Sequence, residues 1–266
     1  MANEHIHHAG MDAGSIAALM TFAAAMLVYV FAVKRSNKKY SRWPVHRTFF
    51  WIAGMSCAAA SVIGPIAEGA HSSFTYHMAA HLLLGMLAPL LLVISAPLTL
   101  LLRTVNVRVA RRFTFILKST PVRLLTDPIT ASLLNMGGLW ILYTTDLYQV
   151  MHHNWLLLVL IHIHIFLAGY LFTVSIVTYD PVPQKPSIYY RSVVLVLALA
   201  SHGILAKFLY GNPPAGVTAG DSETGALLMY YGGDAIDLVI IFLLCLEWYK
   251  NQVSHRFSRP GYARSI

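Results

Sequence analysis

Tyr76-His-Met-Ala-Ala-His-Leu-Leu-Leu-Gly-Met-Leu-Ala-Pro-Leu-Leu-Leu-Val-Ile-Ser-Ala-Pro-Leu-Thr-Leu-Leu-Leu102 contains no Asp, Glu, Lys or Arg. A helix of about 20 apolar residues crosses the hydrocarbon core of a bilayer, so this run is long enough to span one. Yet it carries two histidines, His77 and His81, and two prolines, Pro89 and Pro97. The histidines are spaced i, i+4 and share one helix face. Each proline removes a helical hydrogen bond, which frees the carbonyls of Gly85 and Val93 and predicts kinks. A bilayer tolerates such kinks only where neighbouring helices satisfy the freed groups.

The rest of the chain repeats the pattern. Of its 266 residues 57% are hydrophobic and 11% charged, against about 25% charged in soluble domains. Seven apolar runs are expected, near residues 14–33, 48–67, 76–102, 127–145, 155–178, 191–210 and 227–248. Eighteen of the 19 Lys and Arg residues fall between runs one and two, three and four, five and six, or after run seven; the exception is Lys207. Cytoplasmic loops carry the excess of basic residues. The expected fold is therefore an all-α polytopic membrane helical bundle of about seven transmembrane helices, N-terminus outside and C-terminus cytoplasmic. It divides into an extracytoplasmic His-rich tail (1–13), the bundle (14–250) and a basic cytoplasmic tail (251–266). The net charge of +8 reads as topology, with the lipid bilayer as partner and no nucleic acid. Cys57 and Cys245 both lie in apolar runs without a CxxC pattern, which argues against a disulfide framework. The polar N-terminus lacks the basic start and cleavage site of a signal peptide, so run one reads as a retained span.

The histidines are distributed unevenly. Of thirteen, only His46 and His255 fall in the expected cytoplasmic segments. His5, His7, His8, His71, His77, His81, His152, His153, His162, His164 and His202 all fall toward the opposite side. At a rise of about 1.5 Å per residue, His162 and His164 lie roughly 10–14 Å inside run five, on nearly opposite faces. His202 in run six and Asp234 and Asp237 in run seven occupy overlapping depths. Ionisable groups inside a membrane are costly and usually face the bundle interior or a water-filled cavity. Imidazole is the commonest protein metal ligand and suits copper and zinc. The plainer alternative for any one histidine is a helix–helix hydrogen bond.

His77-Met78-Ala79-Ala80-His81 is the sharpest local motif. Zinc proteases use HExxH, but Met78 stands where the glutamate would be, which excludes that reading. Candidate ligands are His77 and His81, with His164, His202 or Asp234 completing the shell. Glu68, His71, His162 and Asp237 are candidates to support them, because ligating histidines usually donate their second N–H to a carboxylate or carbonyl. Two rival classes stay open: a haem-binding redox protein with His81 and His202 as axial ligands, and a copper transporter with Asp234, Asp237 and Lys207 on a polar path. Asp127-Pro128 reads as a helix cap followed by proline at the first helical position. Asp180 reads as part of a turn, and residues 211–226 as an irregular cap.

From His77 to Pro97 the chain resembles the signature of the multispan caa3-type cytochrome c oxidase assembly factor family, CtaG: a His-Met pair, a second histidine, an apolar run with proline and a terminal Ala-Pro. His164, Phe166, Gly169 and Phe172 resemble its fifth-span pattern, and the likeness runs from about residue 15 to 250. Thr173-Val174 and Asp234-Ala235 depart from the tryptophan-rich end and Asp-Gln pair of some members. The resemblance implies a non-enzymatic factor of the bacterial plasma membrane that serves cytochrome c oxidase subunits, with copper as its metal and zinc as the chemical alternative.

Overall fold

The computed structural model describes residues 13–180 and 185–257; the His5, His7, His8 tail and residues 258–266 lie outside the described residues. The described chain is helical throughout: α1 (Ala13–Asn37), α2 (Val45–Val62), α3 (Pro65–Ala70), α4 (Phe74–His81), a π-helical segment (Leu82–Leu87), α5 (Ala88–Ile94), α6 (Pro97–Thr104), α7 (Val107–Leu117), α8 (Thr120–Leu125), α9 (Pro128–Thr144), α10 (Leu147–His153), α11 (Trp155–Ile176), α12 (Ile188–Gly211) and α13 (Ala219–Phe257). Five stretches are long and apolar enough to cross a membrane: Gly14–Asn37, Phe74–Ile94, Trp155–Ile176, Ile188–Gly211 and Ala219–Val253. The other two expected spans are also helices. α2 is 18 residues long with His46 and Arg47 in its first turn, and α9 is 17 residues long.

Phe74–Ile94 is the centre of the bundle. It is the most buried of the five stretches and packs against α2, α11 and α13. α12 packs on α13 and α9, α9 on α11, while α1 touches α2 and α6 at the periphery. The expected kink at Pro89 takes the form of a π turn. Ala88 N–H bonds the Leu83 carbonyl, five residues back, which widens the turn where Pro89 would otherwise press on the Gly85 carbonyl. That carbonyl lies against Gly169 of α11, so closely that a Cβ on residue 169 would overlap it. Small residues let helix backbones approach in this way. At Pro97 the helix breaks outright. Ala96 adopts a left-handed conformation (φ 52°), its N–H takes the Val93 carbonyl, and the Tyr29 hydroxyl donates to the Ser95 carbonyl at 3.0 Å.

Carboxylates hold the starts of two helices, one from a distant segment and one from the helix's own N-cap. Asp180, expected to be only part of a turn, accepts from Leu98 N, Thr99 N and Thr99 Oγ1 at the start of α6. Asp127 caps its own helix through Ile129 N and Thr130 N, as its Asp-Pro sequence predicts. Two expectations need correction. The 211–226 segment is not irregular throughout, since α13 begins at Ala219. Arg191 is not a loop residue: it lies fully buried in α12, paired with Glu247 of α13 and donating to the Ile176 carbonyl. Thr178 and Lys185 complete the shell of Glu247 at 3.0 and 2.8 Å. A buried guanidinium needs such partners, because an uncompensated charge there is strongly destabilising.

Candidate functional site

The histidine-bearing end of the central span is set by a cap from another helix. Asp221 in the first turn of α13 accepts from Phe74 N (2.6 Å), Thr75 N (3.1 Å), Thr75 Oγ1 (2.6 Å) and Ser73 Oγ (3.0 Å). These bonds use amides left free at a helix N-terminus and fix the rotation of α4, and so the direction of its His77–His81 face. Sequence reading missed Asp221, because nothing local to it reveals that its partners are 146 residues away.

His77 is buried and sits in an aromatic cage. Its Nε2 lies 3.1 Å from the Tyr143 hydroxyl, and its ring stacks on Phe74 and meets Tyr148 edge-on. Burial, with a smaller contribution from Asp221, pushes the Tyr148 phenol up to about 12, so it remains a neutral hydroxyl at any physiological pH. His152 of α10 has its ring 6.1 Å from His77 and 6.3 Å from that of the exposed His71. His152 and His162 each place Nδ1 on the carbonyl four residues back, Tyr148 O at 2.8 Å and Leu158 O at 2.7 Å. Each Nδ1 must then carry a proton; on His162 that leaves Nε2 as the basic nitrogen, while Nε2 of His152 lies 3.4 Å from the Ala70 carbonyl. His77 lies within electrostatic reach of His162, His81, His152 and His71.

One turn deeper, His81 is 4% exposed and His202 of α12 is 2% exposed. Their ring centroids are 6.3 Å apart. Both nitrogens of His81 and Nε2 of His202 are buried without a hydrogen-bond partner. Glycines make the room: a Cβ at Gly85 would touch the His81 ring, and one at Gly233 would collide with that of His202. Buried polar atoms are nearly always satisfied, and each orphan costs about 1–3 kcal/mol. Beside His202 lies a cavity of about 10 Å³, bordered by Asp237, Asn135, Thr173 and Met86, which is close to the minimum for one water.

The other sequence candidates lie elsewhere. His164 is exposed and turns its Nε2 to the Leu134 carbonyl at 3.2 Å, against Gly138 of α9. Asp234 is exposed on α13, while Asp237 is buried. Glu68 is exposed on α3. The structure thus brings together His71, His77, His152 and His162 near the mouth and His81 with His202 below. It does not bring His164 to them. Among the described residues, no three His, Cys, Asp or Glu side chains are arranged to hold one metal ion.

The family profile described as "Cytochrome c oxidase caa3 assembly factor (Caa3_CtaG)" matches residues 27–251. An uncharacterized protein of Mycobacterium leprae (strain TN) is 27% identical over 83% of this chain and 37% of its own length. Uncharacterized proteins of Mycobacterium bovis and Mycobacterium tuberculosis are each 34% identical over 56% of this chain and 24% of theirs. The chain therefore spans well under half the length of these relatives. No solved structure matches it.

Proposed function

The chain belongs to the cytochrome c oxidase caa3 assembly factor family, and from that premise we propose that it carries copper for a haem–copper oxidase in the histidine-lined half of its bundle. It then passes the ion to an oxidase subunit without itself catalysing a reaction. The observation that carries this reading is the buried pair of His81 and His202, with three ring nitrogens lacking partners. Two metal–imidazole bonds of about 2 Å each, added to the two ring radii, come to about the observed ring separation. A copper ion accepts two imidazoles readily, and a pair is suited to cargo that must leave again. The neighbouring cavity has space for an ion or a water and none for a porphyrin, which favours a single ion over haem.

The same reading completes the topology. α2 and α9 cross the bilayer alongside the five longer stretches, giving seven spans. The histidine end faces outward, and the basic loops face the cytoplasm across the bacterial plasma membrane. Reporter fusions test this: those after Asp146 should read as external and those after Arg112 as cytoplasmic, and the reverse assignment contradicts it. For the function, copper content and oxidase activity are measured in cells carrying His202→Ala. Loss of both with normal protein abundance is expected, and full copper with full activity overturns the assignment.

A further inference from the structure

Above the buried pair, the bundle opens at α3, α10 and the start of α13 into a pocket of about 310 Å³, with His71, His152, His153 and Asp221 in its lining. From this pocket the imidazoles descend in even steps. The His71 and His152 rings are 6.3 Å apart, those of His152 and His77 6.1 Å. The Tyr143 ring bridges the next step, 5.9 Å from His77 and 6.4 Å from His81. His81 and His202 close the series at 6.3 Å. Only His77 and His81 share a helix; every other step joins rings from different segments, so helical periodicity does not explain their spacing. The His152 ring is also held in place: its Nδ1 donates to the Tyr148 carbonyl at 2.8 Å, and its Nε2 lies 3.4 Å from the Ala70 carbonyl, which orients the imidazole in the pocket wall.

We propose that His71 and His152 form a loading station at the mouth of the bundle. It takes copper from outside and hands it through His77 to the His81–His202 pair. This inference rests on the copper reading of that pair. Each hop is a ligand exchange in which the next imidazole nitrogen binds before the previous one leaves. The oxidation state does not change, and each imidazole accepts the ion at the nitrogen that its neutral form leaves unprotonated. Asp221, in the pocket wall, adds negative charge at the mouth while its oxygens hold α4 in place.

The test separates loading from retention. The full-length protein in detergent is mixed with Cu(I) presented as a coloured chelate, and both the rate of transfer and the copper finally retained are read. His71→Ala and His152→Ala should slow transfer at least tenfold and leave the retained copper unchanged. His71→Cys should restore the rate, since thiolate is a good Cu(I) ligand, which distinguishes a lost ligand from a damaged fold. His81→Ala should lose retention. If both mouth variants load at the wild-type rate, or if His71→Cys is as slow as His71→Ala, the loading station is overturned while the buried pair stands. If the unaltered protein retains no copper, the buried pair fails and the station with it.

Discussion

Two polar clusters interrupt the apolar bundle, and they are built in different ways. At the basic end, Arg191 is fully buried and Glu247 partly so, and Lys185, Thr178 and the Ile176 carbonyl surround the pair, leaving only Arg191 Nε without a partner. At the histidine end, His81 and His202 are equally buried, yet three of their nitrogens have no partner. A membrane interior makes unsatisfied polar groups expensive, so the first cluster is what folding alone produces. The second leaves imidazole nitrogens unmatched, and the copper proposal rests on them. The contrast sets a matched buried charge against largely unmatched imidazoles within one chain, and it can be broken or sharpened by substitution.

The largest effect is expected at the basic end. Glu247→Ala leaves Arg191 buried with no carboxylate and should cost about 3–5 kcal/mol, read as a fall in thermal unfolding temperature in detergent. A loss below about 1 kcal/mol would mean that water reaches Arg191. Next comes Gly233→Ala, whose methyl would occupy the place of the His202 ring. Overpacking of this kind costs about 1–3 kcal/mol, and copper affinity should fall because the ring must turn away. Unchanged affinity would show that the ring's position is irrelevant to binding. Asp221→Ala removes the interhelix cap of α4 and should cost about 1–2 kcal/mol, with weaker copper retention as α4 loses its rotational anchor; stability lost with retention intact would confine Asp221 to a structural part. The smallest effect is the most telling. In metal-free protein, His81→Leu should change stability by less than about 1 kcal/mol or raise it, because it replaces an unsatisfied ring with an apolar side chain. A large loss of stability would place His81 with Arg191 among the structural groups.

Much of this arrangement is legible in the sequence, and the reasons differ from part to part. The apolar runs set where the helices fall, and His77 and His81 share a face because the helical period requires it. Asp127-Pro128 caps α9 through contacts within its own segment, which is why local reading finds it. Helix rotation is another matter. Run five offers His162 and His164 on opposite faces, and periodicity alone does not choose between them. The structure directs His164 to Leu134 and Gly138 of α9, with His162 on the side of His77. Rotation is set by packing against neighbours, here by the close approach at Gly85 and Gly169. Asp221 and Arg191 escaped notice for the same reason. One looks like a loop acid and the other like a topological marker until the helices that meet them are in place.

The central claim is that the unsatisfied nitrogens of His81 and His202 exist to hold copper. It is tested most directly by copper per protein after equilibration with buffered Cu(I), comparing the unaltered chain with His81→Leu and His202→Leu. Either substitution should abolish retained copper while the protein unfolds at an unchanged or higher temperature. Full copper retention in both variants would contradict the account.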